Sequence, residues 1–283
     1  MADAVRIANR LVWRDGALSE GTRRVPEETA VALTYNGGTY AVMMATPQDL
    51  ADFAIGFSLN EGLVAARDEI ISLDVVSLPD GIELRMWLPD ALAQRLAERR
   101  RAFAGPTGCG LCGIDSIAEA VRPVARVPEG RGFSPRDVMT ALSAIEPLQK
   151  LNHETRAVHA AAFWSPARGI VALREDVGRH NALDKLAGHL AQARARASDG
   201  IVLLTSRVSV ELVQKAAAMG APVMVAVSAP TALAIRMADA AGITLIAVAR
   251  NDGFEIFTHP ERIVASADPS ARSTTQADQS HVA

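Results

Sequence analysis

The stretch IVLLTSRVSVELVQKAAAMGAPVMVAVSAPTALAIRMADAAGITLIAVA, residues 201–249, alternates short, wholly apolar runs with longer amphipathic segments. The short runs predict strands, and the longer segments predict helices. Strands that are apolar along their whole length and alternate with helices are typical of a layered α/β sheet that is at least partly parallel. The strands are expected at 201–205, 222–227 and 244–249, and the helices at 208–219 and 231–240.

The same rhythm extends in both directions from this stretch. A helix is expected at 135–151, strands at 157–164 and 169–174, a helix at 181–195 and a last strand at 254–258. Asn181 is the expected N-cap of the helix at 181–195, because asparagine favours that position. The apolar stripe of this helix leaves Asp184 and Lys185 on the side expected to face solvent.

Residues before about 128 follow a different pattern, in which two pairs of strands alternate with two helices. Asn36 and Gly37 are expected to take the positive φ angles of a tight hairpin, and Thr46 is expected to cap the first helix. The strands are expected at 29–35, 39–44, 70–78 and 82–88, and the helices from Pro47 to about Gly62 and at 90–101.

The segment PVARVPEGRGFSP, residues 123–135, holds three prolines and two glycines and predicts a boundary between domains. We therefore predict an N-terminal α+β domain at 1–128 and a larger α/β domain at 129–264. A tail of Ser, Thr, Ala, Gln and Asp without periodicity, at 265–283, is expected to be disordered.

Charge and hydropathy exclude several classes of protein. The net charge is -3 with a pI near 6.1, which excludes binding to nucleic acid through a basic surface. The first twenty residues contain no apolar run, so no secretory signal is expected and the protein is predicted to be cytoplasmic. The uncharged stretch 216–235 is interrupted by Gly220, Pro222 and Pro230, so no membrane span is expected there.

Cys109 and Cys112 are the two cysteines of the chain. Chance places two cysteines three residues apart in about 0.7% of arrangements, so the spacing calls for an explanation. Four glycines surround the pair in GPTGCGLCG, and Ser116 and Glu119 form the pattern of a capping box just after it. Unhindered amides and a nearby helix start both favour the thiolate, which is the reactive form.

Several chemistries fit this pair. A structural zinc site needs about four ligands, so histidines or a second chain would have to complete it. A dithiol redox centre normally follows a strand, which the preceding GPTG does not resemble. Nucleophilic sulfur transfer needs an exposed loop and no further ligand. Two small buried residues are the remaining alternative, and the residues alone leave sulfur transfer leading but not settled.

Two further segments are candidates for ligand binding. Thr205-Ser206-Arg207 and Ser228-Ala229-Pro230-Thr231 each lie between a strand end and a helix start, which is where open α/β sheets bind ligands. Their hydroxyls and free helix N–H groups suit a pyrophosphate or a guanine edge. The alternative is ordinary helix capping by Ser209 and Ser228. The charged turn of Asp176, Gly178, Arg179 and His180 is a further candidate.

Five strings together resemble one family, the formate dehydrogenase accessory sulfurtransferases (FdhD proteins). The strings are GCGLCG at 108–113, REDVGRHNALDKL at 174–186, LLTSR at 203–207, ELVQKAA at 211–217 and SAPTALAI at 228–235. The resemblance implies a protein that takes sulfane sulfur from a cysteine desulfurase and passes it to the molybdenum or tungsten bis-guanine-dinucleotide cofactor of formate dehydrogenase. It implies that Cys109 carries the persulfide and that Cys112 relays or resolves it.

The resemblance also implies a cytidine deaminase-like layered fold for the larger domain, a homodimer, and no permanently bound metal. It assigns cofactor binding to the string FEIFTH, which comprises Phe254, Glu255, Ile256, Phe257, Thr258 and His259. The alternative for this string is an edge strand that packs Phe254 and Ile256 inward.

One segment departs from the family. Where the family often has Thr-Gly-Gly-x-His, this chain has Thr155-Arg156-Ala157-Val158-His159, and without the glycines a close backbone approach to a ligand is in question. A zinc deaminase is not expected, because no glutamate follows His159 by two residues and no PCxxC string follows.

The predicted function is that of a sulfurtransferase needed for formate dehydrogenase, with Cys109 and Cys112 as catalytic residues. The predicted cofactor-binding residues are Thr205, Ser206, Arg207, Ser228 and 254–259. The alternatives are a chaperone that carries the cofactor without sulfur chemistry and a CxxC zinc or redox protein.

Overall fold

A computed structural model describes residues 3–102 and 124–264, whose strands form three sheets. The segment with Cys109 and Cys112, the capping box after it and the tail at 265–283 lie outside the described residues. The α/β class expected from the sequence is confirmed. The division at residue 128 stays a prediction.

The largest sheet has six strands in the order β12-β11-β10-β9-β7-β8. Its strands are β7 (His159–Ser165), β8 (Gly169–Asp176), β9 (Ile201–Leu204), β10 (Val223–Ala226), β11 (Thr244–Arg250) and β12 (Gly253–Ile256). Strands β9, β10 and β11 are parallel, and the other pairs are antiparallel. The parallel core follows the alternation of strands and helices in the sequence, because each helix returns the chain to the same edge of the sheet.

Helices cover both faces of this sheet. On one face α5 (Arg179–Gln192), α6 (Val210–Ala218) and α7 (Ala232–Ala241) pack against alternate strand residues such as Val202 and Leu204. On the other face α3 (Pro135–Ser143) packs against Leu203 and Val225. The strands are apolar along their whole length because both of their faces are covered.

The expected helix at 135–151 is wrong in its second half. Helix α3 ends at Ser143, a 3-10 turn follows at Glu146–Leu148, and a short helix α4 occupies Lys150–Thr155. Pro147 lies inside the turn, and its ring prevents a continuous helix because it lacks an N–H and clashes with the preceding turn.

The four-stranded sheet has the order β4-β3-β6-β5, with β3 and β6 parallel. Its strands are β3 (Thr29–Tyr35), β4 (Gly38–Ala45), β5 (Ser72–Leu78) and β6 (Gly81–Trp87). The hairpin between β3 and β4 turns at Asn36 and Gly37, both with positive φ as expected. Helix α1 (Leu50–Asn60) covers one face of this sheet, and α2 (Asp90–Ala102) follows β6.

A third sheet, which the sequence analysis did not predict, is a ribbon of two strands. Strands β1 (Val5–Arg14) and β2 (Ala17–Pro26) pair over ten residues each. They turn at Asp15 and Gly16, which have positive φ.

Helices α1 and α5 join the four-stranded and the six-stranded sheet. They lie backbone against backbone where Gly56 of α1 faces Asp184 and Gly188 of α5. A Cβ at Gly56 would overlap the carbonyl oxygen of Asp184, and a Cβ at Gly188 would overlap that of Asp52. Both faces of α1 are therefore buried, one against its own sheet and one against α5.

The expectation that Asp184 and Lys185 face solvent is wrong. Lys185 is 0% exposed, and its Nζ lies 2.7 Å from Asp176 Oδ2 and donates to the carbonyl of Thr46. Asp184 lies within 2.9 Å of Lys215 Nζ. Helix α5 is buried on more than its apolar stripe, because α1 covers the side that the pattern assigned to water.

The two expected helix caps are also wrong. Thr46 lies before the helix, whose N-cap position is Asp49, and its hydroxyl accepts the N–H of Val177 at 3.1 Å. Asn181 lies inside α5, which begins after Gly178, and its amide donates to the carbonyl of Met44 at 2.8 Å. Both side chains bind partners more than 100 residues away, which no local pattern reveals.

We expect Gly56→Ala to destabilise the protein by about 3 kcal/mol, because the added methyl group would push two helix backbones apart. At an exposed helix position alanine is more favourable than glycine by about 1 kcal/mol. A loss of stability in Gly56→Ala therefore comes from the contact between the two helices. Urea unfolding measures it. Gly21→Ala on β2, where nothing lies within 4 Å, is the matched control and should change little. Equal stability of the two variants would contradict the close contact.

Candidate functional site

The carboxyl ends of β9, β10 and β11 meet at one edge of the six-stranded sheet, because the three strands are parallel. A cleft of about 650 Å³ opens there. Its volume is within the range of small-molecule sites. The last residues of β11 and the residues that follow the three strands line one side, and α3 with the turn after it lines the other. The first group is Thr205, Val227, Ala249, Arg250, Asn251 and Asp252, and the second is Leu142, Ile145, Glu146 and Gln149.

The segment 205–207 lies at this edge as predicted, but two of its three side chains already form hydrogen bonds within the protein. Thr205 Oγ1 accepts the N–H of Ala160 at 2.8 Å, so this hydroxyl holds β7 against the end of β9. Ser206 is buried and donates to the carbonyl of Arg207. Arg207 is exposed and carries a positive charge. Of the three side chains, Arg207 is the one placed to meet an anion.

Ser228 lies at the same edge, where its carbonyl accepts the N–H of Val248 at 3.3 Å. The alternative that Ser228 caps a helix is wrong, because Thr231 is the N-cap of α7 and accepts from Ala234 N–H at 3.2 Å. Ser209 occupies the N-cap position of α6 but makes no side-chain capping bond. Two helices therefore begin side by side at this edge, which gives it positive potential.

The charged turn of Asp176 to His180 lies at the same edge of the sheet, beyond the start of β7. His159, at the start of β7, pairs with Asp176 at the end of β8. His180 Nε2 lies 3.4 Å from Ser209 Oγ. Burial, followed by Arg179, lowers the pKa of His180 to about 4, and the same two causes lower the pKa of His159. Both imidazoles are therefore neutral near neutral pH, and Arg179 supplies the charge.

The string 254–259 runs away from the cleft. Strand β12 is antiparallel to β11, with Gly253 opposite Arg250 and Ile256 opposite Ile246. Phe257 to His259 follow at the far edge, where Thr258 Oγ1 accepts from Leu245 N–H at 3.0 Å. At about 3.3 Å per residue, the two ends of β11 are roughly 20 Å apart. The predicted binding residues thus form two groups rather than one.

The side chains of 254–257 also point to different faces of the sheet. Phe254 packs beneath the sheet with α3, and Phe257 packs on the opposite face with the α5–α7 core. Ile256 is 37% exposed, so the alternative of an edge strand is correct for Phe254 and wrong for Ile256. Glu255 is exposed.

The cleft contains residues that the sequence analysis missed. Arg250 ends β11, and Asn251 and Asp252 form the turn to β12. Glu146 begins the 3-10 turn, and Gln149 follows it. The Asn-Asp-Gly sequence at 251–253 is a turn signal directly after an apolar strand, and it could have identified the first group. Glu146 and Gln149 reach the cleft through the break in the helix at Pro147, which was not expected.

Within 3–102 and 124–264, no cluster of three or more His, Cys, Asp or Glu side chains is arranged to bind a metal ion. Within the same ranges, every helix is too short or too polar to span a membrane.

Comparisons with known proteins agree along most of the chain. The model of the FdhD/NarQ family matches residues 26–264. The sulfur carrier protein FdhD of Agrobacterium fabrum is 53% identical over 256 residues, which cover 90% of this chain and 94% of that protein. The protein of the same name from Brucella abortus is 52% identical over 262 residues, which cover 92% of this chain and 97% of that protein.

A solved structure shows the same fold. The crystal structure of a formate dehydrogenase accessory protein from Desulfotalea psychrophila matches with a TM-score of 0.74 at 24% sequence identity. The match covers 93% of this chain and all of that chain.

We expect His180 to make the protein less stable in weak acid. Its folded-state pKa of about 4 lies below the ordinary 6.5, so the unfolded chain binds the proton more tightly. Its contribution is present above pH 6.5 and is lost as the pH falls towards 4. At pH 5 the loss is about 2 kcal/mol relative to pH 7.5.

Urea unfolding at pH 7.5 and pH 5 measures this loss. His180→Gln should remove about 2 kcal/mol of the acid destabilisation. Leu148→Gln introduces the same amide at an exposed position and removes no titratable group, so it should leave the acid destabilisation as it is in the wild type. A pH dependence unchanged by His180→Gln would show that this imidazole is not buried in its neutral form.

Proposed function

This chain belongs to the FdhD/NarQ family, and we propose that it acts as a sulfur carrier for formate dehydrogenase. The observation that carries the proposal is the match of nearly the whole chain, at about half identity, to proteins named sulfur carrier protein FdhD. The glycine-flanked pair Cys109 and Cys112 supplies the sulfur chemistry that such a role requires.

The proposed transfer begins with a cysteine desulfurase that carries a persulfide. The thiolate of Cys109 attacks the terminal sulfur, the S–S bond of the donor breaks, and the desulfurase cysteine leaves as a thiolate. Cys109 then holds the sulfane sulfur. If no acceptor is present, Cys112 attacks the Sγ of Cys109, which releases sulfide and leaves a disulfide between the two cysteines. The presence of just two cysteines limits the competing thiols within the chain.

The acceptor in this proposal is the bis-guanine-dinucleotide cofactor, bound as a substrate before it enters formate dehydrogenase. We place one guanine dinucleotide of the cofactor in the cleft at the ends of β9 to β11. The volume of the cleft, the start of α6 and α7 beside it, and the exposed Arg207 all suit a pyrophosphate and a base. The group at 257–259 is the proposed second contact, at the far end of β11.

Further parts of the proposal concern the whole protein. We infer a cytidine deaminase-like layering of residues 129–264, in which a mixed sheet lies between helices on both faces. We also infer a homodimer in the cytoplasm that carries no resident metal. These inferences extend the family resemblance and the layered sheet.

Incubation with a desulfurase and ³⁵S-cysteine tests the transfer. We expect one cyanide-labile sulfur on Cys109, its loss in Cys109→Ser, and a longer-lived persulfide in Cys112→Ser, because the resolving thiol is gone. Peptide mass analysis locates the sulfur. If neither cysteine of the wild type is labelled, the chain carries the cofactor without sulfur chemistry. If Cys109→Ser retains full labelling, the sulfur is accepted by Cys112 and the assignment of Cys109 is wrong.

GDP is the probe for the cleft. Val227→Trp should fill part of the cleft and weaken GDP binding at least tenfold, a loss of about 1.4 kcal/mol. Calorimetric titration measures the affinity. Val75→Trp, at an exposed position on β5, is the matched control and should bind GDP like the wild type. Unchanged binding by Val227→Trp would place the nucleotide elsewhere.

A further inference from the structure

The ribbon of β1 and β2, residues 5–26, exposes four large apolar side chains, and we call it the arm. Its large apolar side chains are Ile7, Leu11, Trp13 and Leu18, each between 67% and 75% exposed. Ile7, Leu11 and Trp13 alternate along β1, so they point to one side of the ribbon. Leu18 lies opposite Trp13 in the pairing and joins the same face.

The arm is held to the rest of the chain near its base. Arg23 donates to the carbonyl of Thr155 at 3.1 Å, and Arg24 lies 2.9 Å from Glu154, both on α4. Its tip, from Trp13 to Leu18, lies five to six residues further along the ribbon, or about 20 Å from Arg23 and Arg24. The part of the arm from Asn9 to Gly21 therefore continues beyond its attachment to α4.

An arm of this kind needs a partner surface. A two-stranded ribbon alone is marginally stable in water, and three strands or a packed face are normally required. Each large apolar side chain gains about 1.5–3 kcal/mol when it is buried. The exposed face therefore favours packing against another apolar surface.

The four-stranded sheet offers such a surface, which we call the open face. Helix α1 packs on the opposite side of this sheet, against Val31 and Leu33. The open face displays Val42, Met44 and Trp87, which are 60%, 48% and 49% exposed. The small side chains of Ala30 and Ala32 lie between these larger ones in the sheet and leave its centre shallow.

We propose that the arm of one copy packs on the open face of a second copy, and that the second copy returns the same contact. This proposal rests on the homodimer in the proposed function and specifies its interface. A two-fold dimer formed by such reciprocal exchange uses two different surfaces of each chain, both of which are otherwise exposed to water.

The area favours a second copy over an unrelated partner. One face of the arm measures about 33 by 10 Å, or about 330 Å². A partner that received the arm alone would bury about that much, which is less than the roughly 800 Å² per partner of a specific complex. In a reciprocal exchange each copy buries its own arm face and its own open face, so the area buried per copy doubles to about 660 Å². Side chains that project from these faces add to this flat estimate, which approaches the roughly 800 Å² per partner of a specific complex.

Charge does not oppose this contact. The apolar face of the arm carries Glu20 and Arg24, of which Arg24 is paired with Glu154. The open face carries Glu83 and Arg85, which are 2.8 Å apart, and Asp74, which lies opposite Arg85 on β5. Arg10 and Arg14 point to the other face of the arm, away from the proposed contact. The charged groups of the arm face balance, and the open face carries one net negative charge beside its exposed apolar side chains, so the two faces do not repel each other.

Light scattering across a dilution series tests the proposal. We expect the wild type to be a dimer at micromolar concentration. Leu11→Glu on the arm and Met44→Glu on the open face should each weaken the dimer at least 100-fold. Leu148→Glu is the matched control, because it places the same charge at an exposed apolar position outside both surfaces. Circular dichroism confirms that each variant is folded.

Mixing the variants identifies the pairing. Leu11→Glu keeps its open face and Met44→Glu keeps its arm, so the mixture should form a heterodimer with one of the two contacts. A double variant mixed with wild type retains neither contact and should not associate. Loss of the dimer in Leu11→Glu but not in Met44→Glu would mean that arm packs on arm, and it would overturn the proposal.

Two other outcomes separate this inference from the proposed function. A wild-type dimer that neither variant weakens overturns the arm contact and leaves the homodimer intact. A wild type that is monomeric at tens of micromolar overturns both the arm contact and the homodimer. Labelling of Cys109 by the desulfurase tests sulfur transfer independently of either result.

Discussion

The contact between α1 and α5 determines how the two larger sheets are placed. Gly56 and Gly188 allow the helix backbones to touch, and each added methyl group would overlap a carbonyl of the other helix. At this separation no large side chain fits between the helices. Charged groups on α5 are consequently enclosed rather than exposed, and each needs a partner, because an unpaired buried charge costs several kcal/mol.

Two buried lysines show how this requirement is met. Lys185 binds Asp176 and the carbonyl of Thr46, so it ties the end of β8 to the end of β4. Lys215 binds Asp184 and Glu61 at 2.9 and 3.2 Å. Burial opposes the charge on Lys215, but these carboxylates outweigh burial and raise the pKa of Lys215. Thr46 also accepts the N–H of Val177, so the four-stranded sheet fixes the turn that carries Arg179 and His180.

The sequence predicts correctly those elements whose structure follows from a local pattern of residues. Apolar runs located β9, β10 and β11 because both faces of those strands are covered, and Asn36-Gly37 identified the hairpin through its positive φ angles. Patterns could not reveal that Asp184 pairs with Lys215, 31 residues away, or that Thr46 binds Asp176 across 130 residues. The arm was missed because its strands mix charged and apolar residues without a covered face.

The candidate site shows the same division. The edge with Thr205, Arg207 and Ser228 was predictable, because parallel strands deliver their carboxyl ends to one place. The direction of β12 was not, because an antiparallel return after the turn at 251–252 depends on pairing rather than composition. Charged side chains are usually exposed and large apolar side chains are usually buried, and this chain departs from both tendencies at Lys185, Lys215 and Trp13. The lysines find their partners within the chain, whereas the apolar face of the arm, among the described residues, does not, and this asymmetry is the reason to look for its partner in a second copy.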